Sequence, residues 1–90
     1  MVTLEDKQRR GEQARRLLDD PLLNEALDAL DADILAMWRK ETDTENRERL
    51  HMAQLQLSRL RAWLGLVFKD GQAAHRKIEE MRTGKIRRVV

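Results

Sequence analysis

Ninety residues with 18 Lys and Arg against 16 Asp and Glu, a net charge of +2, are enough for one small domain; a chain this short buries only about 60% of its unfolded surface. The absence of cysteine excludes disulfides and thiolate zinc sites, so of the supports small domains commonly add, self-association is the one left. No stretch approaches 18 consecutive apolar residues, and the first twenty, with EDKQRRGEQARR among them, hold no apolar signal core, which argues against membrane contact and for a place in the cytoplasm or inside a particle.

A charged fraction of 38% with 3% aromatic residues suits a disordered chain, but fourteen leucines at regular spacing predict a folded, all-α protein. Thr3 is placed to cap a first helix through LEDKQRRGEQARRLL, in which Gly11 costs about 1 kcal/mol relative to alanine. Asp20 then stands where an N-cap belongs and Pro21 where the first helical residue belongs. Proline is favoured there because its φ is already set and no needed N–H is lost, and the positive end of the new helix favours Asp19 and Asp20. From Pro21 to about Lys40, Leu23, Leu27, Leu30, Ile34 and Met37 recur at steps of four and three and line one face. Trp38 widens that face, while Asp28, Asp31 and Asp33 fall between its positions and point to water.

Thr42 and Glu45 have the spacing of a capping box, so a third helix is predicted to begin near residue 43 and to run antiparallel to the second after a short turn. Leu50, Ala53, Leu57, Leu60, Leu64 and Val67 keep heptad spacing, over roughly 40 Å of helix. A second stripe of Met52, Leu55, Trp63 and Leu66 lies beside the first, giving this helix more apolar circumference than one partner covers. That stripe is the predicted interface. KDG is read as the end of the long helix, with Gly71 as a left-handed C-cap. Ala74, Ile78 and Met81 then mark a short fourth helix closed by Gly84. The expected architecture is a small antiparallel bundle of three to four helices centred on a hairpin of residues 21–40 and 43–69. Residues 1–84 form its single domain, and residues 85–90 a short basic tail.

Charge is divided unevenly. Residues 21–46 carry seven acids against two bases, net −5, and residues 47–90 eleven bases against four acids, net +7. Such polarity suits head-to-tail contact between copies, contact with an acidic partner, or attraction between the two arms of one molecule. Glu48 and His51 have the Glu-x-x-His spacing of di-iron bundles, but His75 has Gln72 at the matching position, so the second motif is missing and no metal is expected. Ser58, in the middle of a periodic helix, lacks an oxyanion hole. Gly11, Gly65, Gly71 and Gly84 are isolated and form no phosphate loop. Gly65, inside WLGLVF, is read as allowing close helix approach or a slight bend. No catalytic residue, cofactor or enzymatic activity is expected. Arg76, Lys77, Arg82, Lys85, Arg87 and Arg88 crowd the last fifteen residues and are the candidate contacts for nucleic acid or an acidic protein, with the strong salt dependence of phosphate neutralisation. Aromatic stacking partners are missing there, and Ala73, Ala74 and His75 are poor readers of base edges.

Over roughly residues 9–81 the sequence resembles a set of short, mostly uncharacterised helical proteins of tailed bacteriophages and prophages, often encoded near head and packaging genes. The likeness lies in an arginine-glycine start at Arg10 and Gly11, the LLDDPLLNEALDAL stretch of residues 17–30, and a Trp38–Arg39 pair. It continues with Arg49 and Leu50 and a close at Val67, Gly71 and Ala74. Gln72 departs from the lysine that these proteins often carry after the last glycine. The resemblance implies a phage context, in the virion or the host cytoplasm, and no reaction or catalytic residues. The combined expectation is a non-enzymatic structural or assembly protein that self-associates and docks on a larger virion component, head or connector. Two alternatives stand beside it: a small DNA-associated packaging or regulatory factor using the C-terminal basic cluster, and an inhibitor that binds a host protein through the acidic arm.

Overall fold

The computed structural model describes residues 2–84, of which 92% are helical. The protein is all-α, with α1 at Leu4–Asp19, α2 at Pro21–Lys40 and α3 at Thr44–Thr83. The tail expected at residues 85–90 lies outside the described residues.

Capping chemistry explains most of the boundaries. Thr3 caps α1 as expected: its hydroxyl accepts from the Asp6 N–H at 3.1 Å, and the Asp6 carboxylate accepts from the Thr3 N–H at 3.3 Å. Each group thereby satisfies a backbone donor that the helix end leaves free. Asp20 closes α1 and opens α2 at once, its side chain accepting from the Leu23 N–H at 2.9 Å ahead of Pro21. Asn24 bridges the break by donating to the carbonyls of Leu18 (2.8 Å) and Asp20 (3.0 Å). The capping box expected at Thr42 and Glu45 does not form. Asp43 takes the N-cap of α3 instead, accepting from the Asn46 N–H at 3.1 Å, because the helix starts one residue later than that box requires.

A larger correction concerns Gly71. It is not a C-cap and no separate fourth helix follows it: α3 runs unbroken for 40 residues to Gly84, which takes the left-handed conformation (φ 78°). The reason is register. Leu50, Leu57, Leu64, Gly71 and Ile78 form one seven-residue column, and Ala53, Leu60, Val67, Ala74 and Met81 a second, so the heptad seam passes straight through the glycine.

Gly71 is there for contact. α1 runs antiparallel to the C-terminal half of α3 and crosses it where Gly11 meets Gly71, with Ala14 and Ala74 buried alongside. A Cβ on Gly11 would stand 2.7 Å from the Gly71 Cα, and one on Gly71 2.6 Å from the Gly11 Cα. The backbones touch, and only glycine fits at both positions. Gly65, by contrast, has nothing within 4 Å of where a Cβ would stand, so the close approach expected there does not occur.

The chain then passes to α2, which lies antiparallel to the N-terminal half of α3. Arg61 fixes this pairing by donating to Asp28 at 2.8 Å and Asp31 at 3.2 Å; Asp28 stays largely in water as expected, while Asp31 is half-covered. The turn is closed by Arg47. Its guanidinium lies 3.7 Å from the centroid of the Trp38 ring and donates to the carbonyls of Trp38 (3.0 Å) and Glu41 (2.9 Å) at the end of α2.

The result is a long hairpin whose first arm is α1 and α2 end to end and whose second arm is α3, with extents of 68 × 25 × 22 Å. Its radius of gyration is 19.6 Å, whereas a compact chain of this length has about 12 Å. Two layers leave little interior: the buried apolar side chains among the described residues are Ala14, Leu27, Leu64 and Ala74.

Candidate interaction surface

The two columns of α3 are covered unequally. Leu50, Leu57, Leu64, Gly71 and Ile78 are buried or half-buried throughout, because α2 covers the first part of this column and α1 the rest. The second column is covered at Val67 and Ala74, under α1, and open at Ala53, Leu60 and Met81. On α2 the same division holds: Leu27 is buried and Ile34 half-buried, while Leu30 and Met37 face out.

All four residues of the predicted stripe are exposed. Met52 is 50% exposed, Trp63 54% and Leu66 58%, with Leu55 beside them. Trp63 and Leu66 line a shallow groove with Val2, Lys7, Arg10, Val67 and Asp70, so the start of α1 forms its other wall. Exposed leucines scattered singly are ordinary, but here two apolar pairs, Met52 with Leu55 and Trp63 with Leu66, share one face of α3 with Gln56 and Arg59 between them, and grouped exposed apolar side chains mark a surface that something covers.

The basic cluster fares differently. Arg76, Lys77 and Arg82 are all exposed on the last turns of α3, yet at 100° per residue they point to three sides of the helix. Arg82 also donates to Glu79 at 2.8 Å. Adjacency in sequence therefore does not make one basic face here. Lys85, Arg87 and Arg88 lie outside the described residues.

Of the residues weighed for chemistry, Glu48 and His51 line an open cleft at the turn with Ile34, Leu35, Trp38 and Leu50. His75 Nδ1 accepts from the Gln8 amide at 3.0 Å, tying α1 to α3. Ser58 is exposed in the middle of α3. Among the described residues no three of His, Asp and Glu converge as metal ligands do, and no helix is long and apolar enough to cross a membrane. Among the described residues one titration is displaced: the Thr3 backbone N–H and hydroxyl, with Arg9 nearby, hold the Asp6 carboxyl below its ordinary value. It belongs to the cap of α1.

No protein-family model, curated protein or solved structure matches this chain. The open seam of Leu30, Met37 and Leu60 was missed at the level of sequence, although its signal was present in the seven-residue spacing of Leu23, Leu30 and Met37 and of Ala53 and Leu60.

Proposed function

We propose that this chain is a non-enzymatic structural or assembly protein of a tailed phage or prophage, acting by self-association and by docking on a larger virion component, head or connector. The observation that carries the reading is the uncovered apolar face of α3, with Met52, Leu55, Trp63 and Leu66 exposed on a molecule that buries few large side chains. Small domains need some support beyond such a core, and association is the one this cysteine-free chain can use. Within one chain, α1 and α2 packed against α3 are read as a small antiparallel bundle of three helices centred on the hairpin. The phage context, in the virion or host cytoplasm, rests on the resemblance over residues 9–81. The DNA-associated reading draws on Arg76, Lys77 and Arg82, whose divergence around α3 gives it less support.

Light scattering across a salt series tests the association. A discrete closed oligomer that survives high salt is expected, since apolar contacts are not screened. A stable monomer overturns the reading, and an oligomer that dissolves as salt rises replaces apolar assembly with charge pairing. Leu55→Asp is expected to disperse the assembly while circular dichroism keeps its helical signal; equal loss of both would place the stripe in the core. Finding the chain by mass spectrometry in purified particles encoded by the same genome tests the docking, and particles without it overturn that part.

A further inference from the structure

The four exposed residues of the stripe are arranged symmetrically. Leu55 and Trp63 stand four residues to either side of Arg59, and Met52 and Leu66 seven. Steps of four and seven keep a helical residue on one face, so Arg59 marks the middle of that face. At about 100° per residue, Met52 and Trp63 lie on one side of its midline, with Arg49 and Asp70, while Leu55 and Leu66 lie on the other, with Glu48 and Lys69. The two halves differ in shape. Met52 and Leu55 stand about 200° round the helix from Leu50 and Leu57, which α2 covers, so that half is a bare ridge. Trp63 and Leu66 line the groove whose other wall is α1.

We propose that a second copy of this chain covers the stripe, in an antiparallel two-fold pair whose axis passes at Arg59. The inference rests on the self-association reading above and gives it a symmetry, a direction and a set of contacts. Three observations point to a copy as the occupant. The first is the symmetry itself, since a two-fold interface requires one patch to match itself. A face centred on Arg59 still meets its own copy when one α3 is turned end for end, with Met52 against Trp63 and Leu55 against Leu66 of the second copy. The second is shape. In an antiparallel pair the bare ridge of each chain enters the groove of the other, whereas a parallel pair sets groove on groove and ridge on ridge. The third is charge. Two-fold antiparallel helices bring matching sides together, so Arg49 meets Asp70 and Glu48 meets Lys69 of the second copy. All four are exposed, and among the described residues none has an ion-pair partner in its own chain. Glu45, farther along the ridge, comes toward Lys7 on the α1 wall of the copy. Arg59 faces its own like across the axis, which makes it the residue that reads the pair.

Arg59→Glu sets two acids at the axis of its own pair, but an acid against a base when it pairs with the wild type. In an equimolar mixture weighed by native mass spectrometry, mixed pairs are therefore expected well above the one half of random pairing. A spin label reads the direction. Because the chain has no cysteine, Thr42→Cys at the exposed turn takes a single label, and Thr42 forms no cap that the change would break. With 1.5 Å rise per residue from Thr42 to Arg59, an antiparallel pair places the two labels about 50 Å apart, and a parallel pair brings them within about 30 Å. The long distance is expected, and a short one overturns the antiparallel direction. Mixed pairs at or below one half overturn the axis at Arg59 while leaving self-association standing. An assembly with an odd number of chains overturns the two-fold pair, and a wild-type monomer at every concentration overturns both this inference and the reading beneath it. The label distance reads the arrangement even if Arg59→Glu fails to fold.

Discussion

Glycine has opposite meanings at three positions of this chain. Gly65 lies mid-helix over open space, Gly11 and Gly71 over each other's backbone. Alanine is favoured over glycine within a helix by about 1 kcal/mol, so Gly65→Ala is expected to stabilise by about 0.5–1 kcal/mol. Gly11→Ala and Gly71→Ala gain the same propensity but force apart two touching helices, which costs about 1–3 kcal/mol in a filled interior. Thermal melts of the three variants check this, and a stabilised Gly71→Ala would sink the contact. Sequence alone priced Gly11 as a flaw and Gly71 as a stop, because each glycine explains itself only through the other, sixty residues away. Asp6 carries the residue-scale pH dependence. Its carboxyl is held below the ordinary value by Thr3 first and Arg9 last. The cap contribution is therefore complete above about pH 4 and is lost as pH falls through the lowered value. Carboxyl carbon shifts followed by NMR from pH 6 to 2 should place the Asp6 midpoint below that of a free aspartate; a midpoint at or above it would show that the cap is not made.

Among the elements, most local signals were legible, the Thr42–Glu45 spacing excepted, since Asp43 caps α3 instead; the long-range ones were not. Thr3, Asp20 and Pro21 announce their helix ends through chemistry within four residues, and capping needs nothing farther away. The length of α3 depends on a register kept across Gly71, which a Lys-Asp-Gly string hides when read as a stop. The Arg47 clamp was equally hidden. Trp38 adjoins Arg39 in sequence, yet the cation over its ring is Arg47, nine residues on, across the turn. Arg47 also serves the last carbonyls of α2, which the helix itself leaves without donors. Arg47→Ala removes two charge-assisted hydrogen bonds and a cation–π contact, and about 2 kcal/mol of stability is expected to go with them. Arg47→Lys is expected to recover less than half, since an ammonium lacks the fork that reaches both carbonyls. Denaturant titrations of the two variants measure the difference; equal loss would mean that the charge alone holds the turn.

At the scale of the whole molecule, the proposed self-association would make stability a property of concentration. A 68 Å rod two layers thick keeps Leu30, Met37, Leu60 and Trp63 in water, and each returns about 25 cal/mol per Å² only when something covers it. If a second copy does so, the folded state is stabilised by mass action, and the melting temperature must climb with protein concentration. For a two-state dimer that melts to unfolded monomers, raising the concentration a hundredfold adds about 2.7 kcal/mol of driving force. With about 4–8 °C per kcal/mol for a chain of this size, the midpoint should rise by 10 °C or more. Scanning calorimetry between roughly 5 and 500 µM reads this directly. The Leu55→Asp variant, expected to be monomeric, should melt lower and at one temperature across the whole range. A wild-type midpoint that stays fixed would mean that the hairpin stands on its own contacts: the Gly11–Gly71 crossing, the Arg61 fork and the Arg47 clamp. In that case its apolar faces would serve a partner other than itself.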